Sequence, residues 1–366
     1  MPHTKQRLES LFLSFTFLCN LKCDMCDIWQ LKERGPSLGT IEKILKEAKK
    51  LGAHKLYLSG GEPFMRDDAL EAIECAHRLG YVTNFVTNGS LLNKMLVKKL
   101  SKLRVNVTVS LEGSKECHDS MRGRGTYEMA ISAIKMLRER HFLICLSMVI
   151  TRQSYHYMKD LVDTAKALDV FSIGYQPFSR RNTWLRKEMW DKYIVPENEI
   201  SGLINMINET VYYARQKRVI LQSVHLLHMM PEYFRLREKI HPLNGCSIPF
   251  KSLAVNIDGL SVIPCVFHLD YIVGDMDHSS LAEIWNGEEF AKSRSMARQK
   301  LCRGCLSGCS DLEAYRMDGG NKDSPLKYLS KRYKILILRL RQRGLKWLWE
   351  EAYFRLRKLV RRWAAL

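Results

Sequence analysis

Three cysteines near the start of the chain are close enough to hold one metal centre. In the segment Cys19-Asn-Leu-Lys-Cys23-Asp-Met-Cys26 they are separated by three and two residues. Three thiolates leave one iron of a four-iron cluster without a protein ligand, and such an iron can bind a substrate or cofactor. A structural zinc site would require a fourth ligand, and none is obvious nearby. The spacing therefore favours an iron–sulfur cluster with an open iron, with zinc as the alternative.

Strand-like and helix-like segments alternate through the first half of the chain. Segments rich in Val, Ile, Leu, Phe and Tyr predict strands at 11–17, 54–59, 81–87, 104–111, 142–150 and 171–176, with helical patterns between them. Such alternation predicts βα units and a parallel sheet. Six units fit a partial barrel with its site residues at the carboxyl ends of the strands. A doubly wound sheet would also satisfy the alternation.

Short motifs lie at the ends of four successive predicted strands. The cysteine segment follows the first strand, the second ends in Ser59-Gly-Gly-Glu-Pro63, the third ends in Thr87-Asn-Gly89, and the fourth ends in Val109-Ser-Leu-Glu-Gly113. In this order, over residues 9–180, the motifs resemble those of the radical S-adenosylmethionine (SAM) enzymes. The resemblance implies that the open iron chelates the amino and carboxylate groups of SAM. One electron from the reduced cluster would then break a sulfur–carbon bond, and the 5′-deoxyadenosyl radical would take a hydrogen atom from a substrate.

The resemblance also assigns roles to the glycine turn after the second strand. Gly60 and Gly61 would let backbone groups approach the cofactor closely. Glu62 would accept hydrogen bonds from the methionine ammonium of SAM. An ordinary Gly-Gly turn is the alternative interpretation.

Four further residues are candidates for binding the cofactor. Met25 would pack against the adenine, or simply in the core. Asn88 and Ser110 would reach the ribose or carboxylate, although Asn88 before Gly89 also suits a turn. Arg122 would pair with the SAM carboxylate, with a surface arginine as the alternative.

A second group of cysteines lies near the other end of the chain: Cys246, Cys265, Cys302, Cys305 and Cys309. Together with residues 274–290, it resembles the SPASM or shorter twitch domain, which carries auxiliary clusters in many radical SAM enzymes. A full SPASM domain has seven cysteines and two clusters, so the five here predict one auxiliary [4Fe-4S] cluster. Which four of the five are ligands stays open, and zinc is the alternative because Cys-x2-Cys is also zinc spacing.

The last 40 residues are strongly basic. Residues 327–366 contain 13 Lys or Arg and two acids, so they contribute +11 of the net charge of +19. Apolar residues recur at helical spacing, and three of the seven tryptophans lie here. A basic amphipathic helix with tryptophan suits an anionic membrane surface. Docking on the barrel and binding to nucleic acid are the alternatives.

These observations predict an α/β fold with three parts. They are a partial (β/α)6 TIM-like barrel at 9–218, a SPASM/twitch-like auxiliary cluster domain at 240–315 and a basic amphipathic helical tail at 327–366. No run of about 20 apolar residues is present, so no helix is expected to span a membrane. We expect a cytoplasmic protein that the tail brings to the inner membrane face.

The predicted function is that of a radical SAM oxidoreductase or modifying enzyme. It would act on an unidentified small-molecule, lipid-linked or peptide substrate held at the membrane, with an external electron donor such as flavodoxin or ferredoxin. A peptide-modifying maturase is one alternative, although a barrel that starts by residue 11 leaves no N-terminal leader-binding domain. A non-catalytic iron–sulfur or zinc scaffold for nucleic acid is another. The glycine–glutamate turn argues against it, since a scaffold needs no SAM pocket.

Overall fold

The computed structural model describes residues 6–180, 185–186, 188–237, 239–240, 245–266, 271–301 and 305–306. The first elements are β1 Ser10–Thr16, α1 Ile28–Leu31, α2 Leu38–Lys50, β2 Lys55–Gly60, α3 Ala69–Arg78, β3 Val82–Thr87, α4 Lys94–Leu100, β4 Val105–Ser110, α5 Lys115–Arg122, α6 Thr126–Glu139, β5 Ile144–Ile150, α7 Met158–Ala167 and β6 Ser172–Pro177. They are followed by α8 Met189–Tyr193, α9 Ile200–Lys217, α10 Val224–Arg235, β7 Ser252–Val255, β8 Ser261–Ile263, β9 Gly274–Asp275, α11 Leu281–Asn286 and α12 Glu288–Arg298. The predicted α/β fold is confirmed, and all six expected strands are present.

The strands form one sheet in the order β6-β5-β4-β3-β2-β1-β7-β8-β9. Strands β1 to β6 are parallel, and β7 pairs with β1 in the same direction. Parallel neighbours need long crossovers, which the helices between the strands supply. Within the described residues β1 and β6 are not neighbours, so the six-unit barrel is open. The carboxyl ends of all six strands therefore meet at one end of the sheet.

The two faces of the sheet differ in polarity because side chains alternate along a strand. One face is apolar and packs beneath the helices, as Leu56, Leu58 and Phe85 do. The opposite positions, which we call the inner face, carry apolar side chains such as Phe12, Val86 and Val149 together with polar ones: Ser14, Ser59, Asn84, Asn106, Thr108, Ser147 and Gln176. Here Asn106 Nδ2 donates to Asn84 Oδ1 at 2.9 Å. The inner face thus presents hydroxyl and amide groups among apolar side chains.

The segment after residue 245 continues the barrel sheet. Strand β8 is antiparallel to β7, and β9 is antiparallel to β8. Trp285 of α11 is fully buried, and its Nε1 donates to the carbonyl oxygen of Gln6 at 2.8 Å. The Leu281 N–H donates to Glu47 of α2 at 2.7 Å. The predicted auxiliary domain therefore packs on the start of the barrel, while the domain limits at 218, 240 and 315 stay predictions.

The predicted tail at 327–366 lies outside the described residues. In the described part of the chain, every helix is too short or too polar to cross a bilayer.

Candidate functional site

The cysteine segment leaves the sheet through an irregularity at the end of β1. The register between β1 and β2 shifts between Ser14 and Thr16, so that Thr16 pairs with Gly60. Bulges of this kind redirect a strand and are common next to functional sites. The Leu18 N–H then donates to Thr16 Oγ1 at 3.1 Å, which turns the chain toward Cys19.

The three thiols of this segment lie in one partly buried group. Cys23 is buried, and Cys19 and Cys26 are half-buried. Burial raises the pKa of each thiol, that of Cys26 to about 11, and the charge of Cys23 adds to the rise at Cys19 and Cys26. Thiolates are the form that binds metal, and removing three neighbouring protons requires a compensating positive charge. An iron–sulfur cluster supplies that charge, so the donor set fits the predicted cofactor.

The thiols are not arranged for a single ion. Within the described residues, no three Cys, His, Asp or Glu side chains converge where one metal ion could bind. A four-iron cluster binds each thiolate through a different iron, so convergence is not required of its ligands.

The glycine turn after β2 packs directly against the backbone that leads to Cys19. Gly60 has φ of +124°, and a Cβ there would lie 2.0 Å from the Thr16 carbonyl oxygen. A Cβ on Gly61 would lie 2.1 Å from the carbonyl oxygen of Leu18. Both glycines are therefore required by the contact between two chain segments. Their predicted approach to the cofactor stays a prediction.

Glu62 is a buried carboxylate at the carboxyl end of β2, and only 1% of it is exposed. Its Oε1 accepts from Thr87 Oγ1 and its Oε2 from the Asn88 N–H, both at 2.8 Å. Burial raises the pKa of Glu62 to about 7, although these hydrogen bonds lower it. Within the described residues no lysine or arginine forms an ion pair with it. A bound ammonium would supply the missing positive charge, as the prediction for SAM requires.

Asn88 links the end of β3 to the cysteine segment. Its Nδ2 donates to Asn20 Oδ1 at 3.0 Å, and its Oδ1 accepts from the Ser90 N–H at 2.9 Å. Asn88 therefore forms the predicted turn. Met25 is 3% exposed and packs in the core, and Ser110 at the end of β4 is 7% exposed. Contact of any of the three with SAM stays a prediction.

Arg122 reaches the cysteine segment from the end of α5. Its Nε donates to Glu112 Oε1 at 2.9 Å, and its charge lowers the pKa of Cys23 against the effect of burial. Glu112 is fully buried, and its Oε2 accepts from the Val149 N–H at 2.9 Å. Burial alone lowers the pKa of Arg122, but the charge of Glu112 raises it above its usual value. The surface-arginine alternative is wrong, because Arg122 lies in a buried ion pair.

Three carboxylates near the cysteines were not predicted as site residues. They are Glu112, Asp24 and Asp27. Asp27 is fully buried immediately after Cys26. For Asp24 and Asp27 the available signal was an acidic residue inside or next to the cysteine motif, but their basic partners Lys192 and Arg186 lie 168 and 159 residues away. Glu112 belongs to the motif Val109 to Gly113, and its partner Arg122 lies only ten residues further along the chain.

The C-terminal cysteines are only partly described. The Cys246 N–H donates to Ala297 at 2.9 Å, the Cys305 N–H donates to Ile240 at 3.0 Å, and Cys265 follows β8. Cys302 and Cys309 lie outside the described residues. The choice of four ligands among the five therefore stays open.

The chain matches two known families. Residues 13–165 match the radical SAM superfamily, and residues 246–306 match the SPASM iron–sulfur cluster-binding domain. The PqqA peptide cyclase of Bradyrhizobium diazoefficiens is 25% identical over 315 residues, covering 81% of this chain and 78% of the relative. The AdoMet-dependent heme synthase of Methanosarcina barkeri is 25% identical over 326 residues, covering 78% and 88%.

A solved structure shares the fold. Native anSMEcpe with bound AdoMet and Cp18Cys peptide superposes with a TM-score of 0.64 at 18% identity, covering 91% of this chain and 97% of that chain. The predicted family, enzyme class and cofactors are confirmed, since the radical SAM domain implies a four-iron cluster with SAM and SPASM implies auxiliary clusters. This chain belongs to the radical SAM superfamily and carries a C-terminal SPASM domain.

Proposed function

We propose that this chain is a peptide-modifying enzyme that takes a hydrogen atom from its substrate after reductive cleavage of SAM. The similarity to PqqA peptide cyclase over 81% of the chain carries this proposal. The peptide bound in the anSMEcpe structure agrees with it. Both support the peptide alternative more strongly than a membrane-held substrate.

The residues after β1 and β2 would hold the cofactors. Cys19, Cys23 and Cys26 would bind the SAM cluster, which supplies the electron for SAM cleavage when bound. Glu62 would bind the SAM ammonium, because a buried carboxylate with no cationic partner gains most from a charge-assisted hydrogen bond. Thr87 and the Asn88 N–H already hold that carboxylate in place.

The inner face would bind the peptide. Its polar side chains are hydroxyls and amides, which can donate to and accept from peptide groups without imposing a charge. Val86 on β3 is 48% exposed, so solvent reaches the sheet near the carboxyl end of the strand. An extended peptide laid across this open surface would contact Asn84, Asn106 and Gln176.

A comparison of small peptides in a deletion strain and its parent tests the proposal. We expect a peptide whose mass differs between the two strains, restored by the wild-type gene but not by the Cys19→Ala, Cys23→Ala, Cys26→Ala variant. The same extracts should be analysed for tetrapyrroles, because one relative is a heme synthase. Altered tetrapyrroles with unaltered peptides would contradict the proposal.

The basic tail would add a membrane contact, a proposal that rests on the charge of +11 in residues 327–366. Each cation near an anionic bilayer contributes about 1 kcal/mol, screened by salt. A chain truncated after Pro325 should keep its iron and lose cosedimentation with phosphatidylglycerol vesicles at low salt. If the full-length protein stays in the supernatant, the tail has another role, and tighter binding to RNA would favour nucleic acid. The cytoplasmic location and the flavodoxin or ferredoxin donor likewise stay proposals.

A further inference from the structure

Arg186 connects the cysteine segment, which follows β1, to the other side of the barrel, where β6 lies. Arg186 lies after β6, 159 residues beyond Asp27. Its Nε donates to Asp27 Oδ1 in an ion pair, and Asp27 Oδ2 accepts from the Leu185 and Arg186 N–H groups, each at 3.0 Å. Three donors from one short segment therefore surround a single buried carboxylate.

The same guanidinium also binds the backbone between the cysteines. Arg186 Nη2 donates to the carbonyl oxygen of Asp24 at 2.9 Å and to that of Cys26 at 3.1 Å. Backbone carbonyls in an irregular segment need hydrogen-bond donors, because no neighbouring strand supplies them. A planar guanidinium holds its five N–H groups in fixed directions, so it can serve a carboxylate and two carbonyls at once, whereas the three donors of a lysine diverge from one nitrogen atom.

A second contact holds the other carboxylate of the segment. Tyr193 Oη donates to Asp24 Oδ2 at 2.6 Å, and Lys192 forms an ion pair with the same carboxylate. Tyr193 is 2% exposed and packs on Phe178 just after β6. Tyr193 is thus anchored in the core and bound to the cysteine segment, as Arg186 is bound to it earlier in the chain.

We propose that Arg186 and Asp27 form a charge pair that positions the segment Cys23 to Cys26 and adjusts the reduction potential of the SAM cluster. Reduction adds an electron beside three thiolates, so a nearby positive charge favours the reduced state and a nearby negative charge disfavours it. In the pair the two charges offset each other. Removing one partner leaves the other beside Cys26. The inference rests on the family assignment and does not depend on the peptide proposal.

The two single substitutions are expected to move the potential in opposite directions. Arg186→Gln leaves the carboxylate of Asp27 alone, so the midpoint potential should fall. Asp27→Asn leaves the guanidinium with only the more exposed Asp24 carboxylate, 3.6 Å from Nη1 and already paired with Lys192, so the potential should rise. The double variant should return toward the wild-type value. If the pair has only a structural role, every variant should lose iron, and the two single variants should not shift the potential in opposite directions.

An anaerobic redox titration of the reconstituted full chain, followed by electron paramagnetic resonance, measures the effect. The SAM cluster is identified as the signal that changes when SAM is added, and the auxiliary signal serves as an internal reference. Arg138→Gln is a matched control, because Arg138 also pairs with an aspartate and is 23% exposed against 25% for Arg186. Arg138 lies at the end of α6, and its substitution should leave the potentials of both clusters unchanged.

Each result supports or overturns the proposal. Opposite shifts that cancel in the double variant support it. Shifts in the same direction, or no shift, overturn it. If Arg186→Gln does not retain the cluster, Asp27→Asn decides alone, since a rise supports the proposal and its absence overturns it.

Discussion

The two ends of the barrel differ in the charged groups they hold. At the carboxyl ends of the strands, Glu62, Glu112 and Asp27 are buried carboxylates, and Arg66 is a buried cation at the same end. At the amino ends, the half-buried charged group is a cation. Lys49 lies over the ring of Tyr81 at 5.0 Å, and burial, together with the charges of Arg104 and Arg7, lowers its pKa.

The βα topology explains part of this difference. Each helix begins near the carboxyl end of one strand and ends near the amino end of the next. Helix N-termini carry partial positive charge and C-termini partial negative charge, so carboxylates are favoured at one end and cations at the other. The ion pairs at the two ends also differ in how deeply they are buried. Glu112 and Arg122 are buried beside Cys23, whereas Asp169, the partner of Arg138, is 87% exposed.

The largest expected effect comes from removing the thiols at the carboxyl end. The Cys19→Ala, Cys23→Ala, Cys26→Ala variant should retain about four of about eight irons and form no 5′-deoxyadenosine with dithionite and SAM. Iron analysis and chromatography measure both quantities. Cys75→Ala, a buried cysteine on α3, should behave as wild type. Equal 5′-deoxyadenosine from the triple variant and wild type would contradict the assignment.

Breaking an ion pair should cost far more at the carboxyl end than at the amino end. Glu112→Gln leaves Arg122 buried without a carboxylate, which should lower the free energy of unfolding by about 3–5 kcal/mol. Arg138→Gln, in the exposed pair, should change it by less than about 1 kcal/mol. Urea denaturation followed by circular dichroism compares the two variants. Equal losses would mean that burial does not distinguish the two ends.

Substitution of Glu62 should weaken SAM binding while leaving the clusters in place. A hydrogen bond to a charged group contributes about 1.5–3 kcal/mol, so Glu62→Gln should raise the dissociation constant about 10- to 100-fold. Equilibrium binding of SAM to the oxidised, reconstituted protein measures this change. Glu116→Gln on α5 is the matched exposed control. Unchanged affinity with full iron content would exclude Glu62 from the SAM site.

The smallest expected effect is a pH dependence of the free energy of unfolding, caused by a histidine at the carboxyl end of the barrel. His118 accepts from the Glu112 N–H at 3.1 Å, and burial lowers its pKa to about 3. Below about pH 6.5 the His118 side chain binds a proton in the unfolded chain, whereas in the folded chain it stays neutral. Stability is therefore lost as pH falls through this range, by about 2 kcal/mol at pH 5. Thermal unfolding should show a flatter acid profile for His118→Asn than for the exposed control His141→Asn. Parallel acid profiles of the two variants would contradict the assignment of this pH dependence to His118.

Much of the barrel could be predicted because its signals are local. Strands such as Ile144–Ile150 are mostly apolar, and the cysteine spacing is contained in eight residues. The pairing of β7 with β1 could not be predicted, because β7 has four residues and its partner is more than 200 positions away. Likewise, nothing local to Arg186 indicates that it binds Asp27. The two glycines after β2 were recognised, but their contact with Thr16 and Leu18 depends on the bulge in β1.

The position of β1 within the sheet has a consequence for folding. This strand carries the cysteine segment and is paired on both sides, with β2 and with β7. Without residues 252–255, the N–H and C=O groups of Ser10–Leu13 on that side would form an open sheet edge, which readily pairs with other chains. A fragment ending before β7 should therefore aggregate through the strand that leads to Cys19. The auxiliary domain covers this edge of the barrel sheet through β7.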